Sequence, residues 1–183
     1  MQVVLASGSP QRRDILGRLG IEFEVVVPEI TELREGEPEA VVVENARSKA
    51  RAVGRPHELV LGCDTDVAVD GVLLGKPADE AVARDYLERL SGREHQVLSG
   101  LVLIGPENSQ ERSGVERSAV RFRPLGEAEI DRYIRSGEWR GRAGAYAIQG
   151  LGSTLVAAVE GDIANVIGLP VALLLELAPE IAH

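Results

Sequence analysis

The sequence predicts an α/β fold built on a mixed β-sheet, and three observations carry that prediction. Apolar runs of strand length interleave with segments of helical periodicity along the whole chain. Several neighbouring strand segments are joined by hairpin-length connections, which a wholly parallel sheet does not allow. No internal repeat or low-complexity linker divides the 183 residues, of which 44% are hydrophobic, so a single domain over residues 1–183 is expected.

Taken in order, Val3-Val4-Leu5-Ala6 reads as a short buried strand. The small-residue turn Ser7-Gly8-Ser9-Pro10 follows, then a helix over residues 10–19 that Gly20 ends. A second helix is predicted over 38–53, where Val42, Ala46, Ala50 and Val53 share a face and Lys49 lies near its edge. Residues 59–63 have the continuous apolar character of a central strand that delivers Asp64 to its C-terminal end. Residues 67–74 contain the hairpin signal Asp70-Gly71. Residues 79–90 combine an acidic start, the apolar stripe Val82, Tyr86, Leu87 and Leu90, and the stop Ser91-Gly92, which together predict a helix. Strands are expected over 95–104 and 115–122, joined by a polar loop at 105–114. A short helix at 127–134, a strand at 155–159 and a closing helix at 169–177, with Pro170 in its first turn, complete the chain.

Composition excludes several classes of function. The first five residues carry no cationic n-region and no apolar run approaches the roughly 20 residues that cross a bilayer, so a cytoplasmic protein without membrane contact is expected. One cysteine, Cys63, and three scattered histidines, His57, His95 and His183, do not make a zinc site of recognisable spacing. A formal charge of −9, with one tryptophan, three tyrosines and two phenylalanines, disfavours polymeric nucleic acid and with it a tRNA-binding module. A small polyphosphate remains compatible, because a local cationic pocket and a divalent metal overcome a screened global field. Of 20 cationic side chains only Lys49 and Lys76 are lysine. A lysine kept in so arginine-rich a chain is either chance or the mark of a site that needs a compact point charge, as phosphate sites do.

The turn after the first strand sets small residues and hydroxyls at a helix N-terminus, where free N–H groups and the helix dipole favour an anion, with Arg12 and Arg13 adding charge. Ser9 reads equally as a simple N-cap before Pro10. Cys63-Asp64-Thr65 and Gly75-Lys76-Pro77 bring a carboxylate, a hydroxyl and a lysine close together, the parts that phosphoryl chemistry uses. Taken singly, Asp64 fits a turn cap, Lys76 a solvated hairpin residue, and Glu32 a surface charge.

The segment Leu5-Ala6-Ser7-Gly8-Ser9-Pro10-Gln11-Arg12-Arg13-Asp14-Ile15-Leu16 resembles the opening signature of the Maf family of nucleoside triphosphate pyrophosphatases, also described as septum-formation inhibitors. The likeness continues through Glu32, Lys49, Asp64-Thr65, Gly75-Lys76-Pro77, Ser91-Gly92 with His95, and Gly141-Arg142-Ala143-Gly144-Ala145-Tyr146-Ala147-Ile148-Gln149-Gly150. It ends with Gly161-Asp162 and Asn165-Val166-Ile167-Gly168-Leu169-Pro170. The resemblance implies an inosine-triphosphate-pyrophosphatase-like α/β fold: a long mixed sheet flanked by helices, with two lobes and a central cleft. It implies cleavage between the α and β phosphates, with a divalent cation, Mg²⁺ or Mn²⁺, as cofactor. Asp64 then is the proton acceptor, Glu32 joins it in holding the metal, and Ser7, Ser9, Arg12, Arg13, Lys49 and Lys76 bind the polyphosphate. A homodimer is also implied, as is a house-cleaning role in the nucleotide pool linked to cell-division arrest.

Base choice falls to Gln11, Thr65 and Gln149. A side-chain amide at Gln149 offers a donor and an acceptor that match O4 and N3–H of uracil or thymine. Asp-Thr and Ile-Gln-Gly resemble the branch of the family acting on dTTP and UTP, whereas the branch acting on 7-methyl-GTP carries Gln after the aspartate and Glu at the place of Gln149. Gln11 matches neither branch, Asp66 stands where the family is usually apolar, and Arg142 replaces a lysine. Trp139 fits either a lid over the base or core packing, and Cys63 reads as a small buried residue rather than a nucleophile. The alternative functions are a nucleotide-sensing regulator of cell division with little catalysis and an enzyme of the 7-methyl-GTP type.

Overall fold

The protein is seen as a computed structural model that describes residues 3–55, 57–106 and 110–182. Strand β1 (Val3–Ala6) runs into helix α1 (Pro10–Arg18), with Ser9 as N-cap accepting from Arg12 N. A three-residue strand β2 (Phe23–Val25), which no sequence signal marks, pairs parallel to β1. Helix α2 (Pro38–Val53) ends on Gly54 at φ 61°, a left-handed conformation that glycine adopts without a Cβ clash.

Strand β3 corrects the expected local picture. It is one continuous strand, Leu59–Val69, so Asp64 lies in its interior and not at its end. Strand β4 (Val72–Leu73) folds back on it through Asp70-Gly71, as the hairpin signal requires, with both residues at positive φ. Helix α3 (Glu80–Leu90), capped by Asp79, leads to the long hairpin of β5 (Glu94–Ile104) and β6 (Glu111–Phe122). That loop is shorter than expected, and its residues 107–109 lie outside the described residues, as does His183. Helix α4 (Glu127–Ser136), 3-10 turns at Ala143–Ala145 and Leu151–Leu155, β7 (Val156–Glu160), the short helix α5 (Ile163–Ile167), α6 (Val171–Leu177) and a last 3-10 turn at Pro179–Ala182 complete the described chain. Pro170 caps α6 instead of sitting inside it.

The expected mixed sheet is present. Its order is β2-β1-β3-β5-β6-β7, with β4 also on β3; β1 is parallel to β2 and β3, and the remaining pairs are antiparallel. Apolar cores lie at the two ends of the long strands. At one end Leu5, Leu16, Leu59, Leu61, Leu101 and Leu174 pack beneath α1 and α6, and Val4, Ala46, Ala50, Val60 and Val102 pack beneath α2 on the opposite face. At the other end Val69, Leu87, Val97, Phe122, Tyr133 and Trp139 pack with α3 and α4. No described helix is long and apolar enough to cross a membrane.

One detail of the pairing makes room for a site. β1 pairs with β3 only as far as Ala6–Gly62, and β4 takes up the same edge again at Ala68–Leu73. Residues 63–66 of β3 therefore have no strand partner on that side among the described residues. The carboxyl end of β1 opens there, the kind of place where α/β sheets accept ligands.

Candidate active site

A cleft of about 610 Å³ occupies this gap, lined by the turn after β1, segment 27–32, the middle of β3, Lys76 and residues 141–150. Helix α2 sets its deepest chemistry. A Cβ at Gly62 would lie 2.1 Å from the Ala46 carbonyl oxygen, and one at Gly100 would lie 2.3 Å from that of Val42. These glycines let α2 settle onto β3 and β5, and its next turns then hold Asn45 and Lys49 against Asp64.

Asp64 is 8% exposed and fully partnered: Lys49 Nζ reaches Oδ1 at 2.5 Å and Asn45 Nδ2 donates to Oδ2 at 3.0 Å. The same Lys49 nitrogen lies 2.6 Å from Glu32 Oε1. Two carboxylates from distant parts of the chain thus converge on one cationic point. Glu32 is held there through its neighbour, because the Asn45 amide accepts from Leu33 N at 2.8 Å and donates to Leu33 O at 3.0 Å. Asn45 was not among the residues the sequence singles out. Its spacing of four from Lys49 on one helix was the available signal.

The phosphate-type turn sits across the cleft. Ser9 N donates to Ser7 Oγ at 3.2 Å, and Ser9 Oγ to Gln11 Oε1 at 3.1 Å. Arg12 is buried and spreads its guanidinium over three acceptors: Gly168 O from Nε at 2.9 Å, Ser7 Oγ from Nη1 at 2.9 Å and Thr65 Oγ1 from Nη2 at 3.1 Å. It ties the turn to β3 and to the end of α5. Thr65 Oγ1 also lies 2.7 Å from the buried Ser99 Oγ, which places it at the cleft floor. Arg13, on the exposed side of α1, is not among the cleft-lining residues, whereas Ser7, Ser9, Gln11, Arg12, Glu32, Lys49, Asp64, Thr65, Lys76 and Gln149 all are.

The far wall belongs to the second core. Gly144 N donates to Gly75 O at 2.9 Å, joining the Lys76 hairpin to the 141–150 segment. Asp66 Oδ1 accepts from Val67 N at 2.7 Å and Gly75 N at 2.8 Å, so it braces the same hairpin. Burial pushes its carboxyl up to about 6. Trp139 is a core residue, 5% exposed with Nε1 donating to Ile134 O at 3.1 Å, and no lid. Burial raises the Cys63 thiol, which keeps it protonated and unreactive. His95 is buried against Phe122 and Tyr146, its Nε2 2.8 Å from the Tyr146 hydroxyl, and burial lowers its imidazole to about 4.

The residues present fit a divalent cation. Hard carboxylate oxygens of Glu32 and Asp64 aim at one point beside the cleft, where an ammonium already sits. Among the described residues no group of three or more His, Cys, Asp or Glu side chains could hold a metal.

A family model described as Maf-like protein matches residues 2–181. A dTTP/UTP pyrophosphatase of Deinococcus radiodurans is 49% identical over 179 residues, covering 96% of this chain and 91% of the relative. One of Symbiobacterium thermophilum is 47% identical over 173 residues, covering 92% and 88%. Among solved structures, the Staphylococcus aureus Ham1 protein superposes with a TM-score of 0.47 at 14% identity, over 67% of this chain and 72% of its own.

Proposed function

Because the chain belongs to the Maf family over residues 2–181, we propose that it hydrolyses pyrimidine nucleoside triphosphates, dTTP and UTP, to the monophosphate and pyrophosphate. The observation that carries this reading is the convergence of Glu32 and Asp64 on Lys49, facing the Ser7 to Arg12 turn across one cleft. Relatives of like length with 49% and 47% identity carry the name dTTP/UTP pyrophosphatase. The polyphosphate lies between the serine turn on one side and Lys49 and Lys76 on the other, where N–H groups and compact ammonium charges offset its own charge. Thr65, Gln11 and Gln149 face the rest of the nucleotide, and the Gln149 amide supplies one donor and one acceptor to a pyrimidine edge.

Without substrate, the single Lys49 ammonium pairs with both carboxylates and leaves the cluster one negative charge in excess. A triphosphate draws the ammonium toward its oxygens and leaves Asp64 Oδ1 as a free acceptor, while Asn45 keeps Oδ2 and so the carboxyl plane in place. Asp64 then takes a proton from the attacking water as the new P–O bond forms, and the α–β anhydride bond breaks with pyrophosphate leaving. Glu32 and Asp64 would hold Mg²⁺ or Mn²⁺, which when bound supplies positive charge against the phosphate oxygens. Arg12 holds the turn and floor together through Ser7, Thr65 and Gly168.

The test is release of pyrophosphate and monophosphate from UTP, dTTP, GTP and 7-methyl-GTP with Mg²⁺ or Mn²⁺. Turnover of UTP and dTTP above the purines is expected. Intact nucleotide binding without turnover would instead make the chain a sensor, and preference for 7-methyl-GTP would overturn the pyrimidine assignment. The localisation expected is cytoplasmic and the assembly a homodimer, for which a single mass in solution at twice the chain mass is the check.

A further inference from the structure

We propose that Glu138, which lines the same cleft on the side of the Gln149 turn, is the positioning residue that sets base selectivity. Residues 147–150 form part of the cleft wall, with Gln149 exposed within it. The segment 147–152 has turn and 3-10 structure rather than a strand that would fix it by pairing. Two side chains from α4 and its C-terminal end hold it instead. The Tyr133 hydroxyl accepts from Ala147 N at 3.0 Å, and Glu138 accepts from Leu151 N at 2.8 Å through Oε1 and from Gly152 N at 3.0 Å through Oε2.

The fit around this carboxylate is close. A Cβ on Gly150 would lie 2.0 Å from Glu138 Oε1, and one on Gly152 would lie 2.3 Å from the Ala147 carbonyl oxygen. The loop is therefore folded on itself and pressed onto the acid, which is why glycines stand on either side of Leu151. Only a carboxylate presents acceptors at both ends of a planar group; an amide would turn an NH₂ against one of the two backbone donors. Glu138 is itself anchored, since the next residue, Trp139, is bonded into the core through Ile134 O. A chain of hydrogen bonds thus runs from the core beneath α4 through Glu138 to the Gln149 turn, and none of these bonds ends on Ser7, Arg12, Lys49 or Asp64.

This inference rests on the reading of the cleft as a pyrimidine nucleotide site, and the experiment separates the two. kcat/KM for UTP and GTP, together with the inhibition constant of pyrophosphate, is measured for the wild type, Glu138→Gln and Tyr133→Phe. The expected result for Glu138→Gln is a fall of about ten-fold or more in the UTP-to-GTP ratio, through KM for UTP, with pyrophosphate inhibition unchanged. Tyr133→Phe, which removes the acceptor for Ala147 N and the hydroxyl's own hydrogen bond to Glu138 but keeps the Glu138 carboxylate, should shift the same ratio less. It decides the matter alone if Glu138→Gln does not fold. A preserved ratio in a folded variant, or an equal loss for both nucleotides with weakened pyrophosphate inhibition, overturns the role of Glu138. A wild type that hydrolyses UTP and GTP equally overturns the pyrimidine reading itself and leaves Glu138 no selectivity to set.

Discussion

Asp64 is held by two different contacts that do two different things. Lys49 supplies charge, which the proposed mechanism passes to a phosphate, while the Asn45 amide supplies only position. The isosteric change Asp64→Asn keeps the shape and removes the oxygen proposed to accept the proton. It should lower kcat by about 10²–10⁴-fold while nucleotide affinity stays within a few-fold, measured by calorimetric titration beside steady-state turnover. Near-normal turnover would remove Asp64 from the base role. The sequence made Asp64, Lys49 and Ser7 readable because each is a rare chemical type in a local context: a carboxylate after an apolar run, a scarce lysine, a hydroxyl before a helix. It did not reveal Asn45, whose importance exists only once α2 lies on β3. Nor did it reveal how Arg12 is spent on Ser7, Thr65 and Gly168, since two of those partners are 53 and 156 residues away.

At the scale of elements, the depth of the site is a helix-to-sheet distance. A Cβ at position 100 would meet the Val42 carbonyl carbon at 2.4 Å and Val43 N at 2.5 Å, both main-chain atoms that cannot turn aside. Gly100→Ala should therefore push α2 off β5. The expected cost is about 2–4 kcal/mol in urea unfolding, with a fall in kcat as Asn45 and Lys49 leave Asp64. Unchanged stability would mean that the helix has room to slide. Helices and the hairpin were legible because periodicity, caps and Asp70-Gly71 are local signals. Strand β3 was read as two pieces, since Asp64-Thr65-Asp66 interrupts the apolar run; those polar residues belong to the strand because its edge opens to the cleft there. Strand β2 and helix α5 were not legible, being three and five residues long and held by their neighbours rather than by any pattern of their own.

For the molecule as a whole, two titrating groups, the half-buried Asp66 and the buried His95, oppose each other in acid. Asp66 has a carboxyl raised from 3.8 to about 6 by burial, so its stabilising contribution is full below pH 3.8 and lost as pH rises through 6. His95 is lowered from 6.5 to about 4, so its contribution is present above pH 6.5 and lost as pH falls toward and below 4. Asp66→Asn keeps an oxygen for Val67 N and Gly75 N and removes the ionisation. It should gain about 2–3 kcal/mol over the wild type at pH 7.5 and nothing at pH 3.5, read by urea unfolding at both. The same gain at both pH values would sink this account. Strands β3 and β5 stay paired without a break from Val60–Ile104 to Ala68–Gln96, while the cores they carry lie at either end. Widening the cleft therefore means bending a hydrogen-bonded sheet rather than turning a hinge. Under the proposed nucleotide reading, the span between the serine turn and the glutamine turn then makes molecular length a criterion of admission beside the base edge.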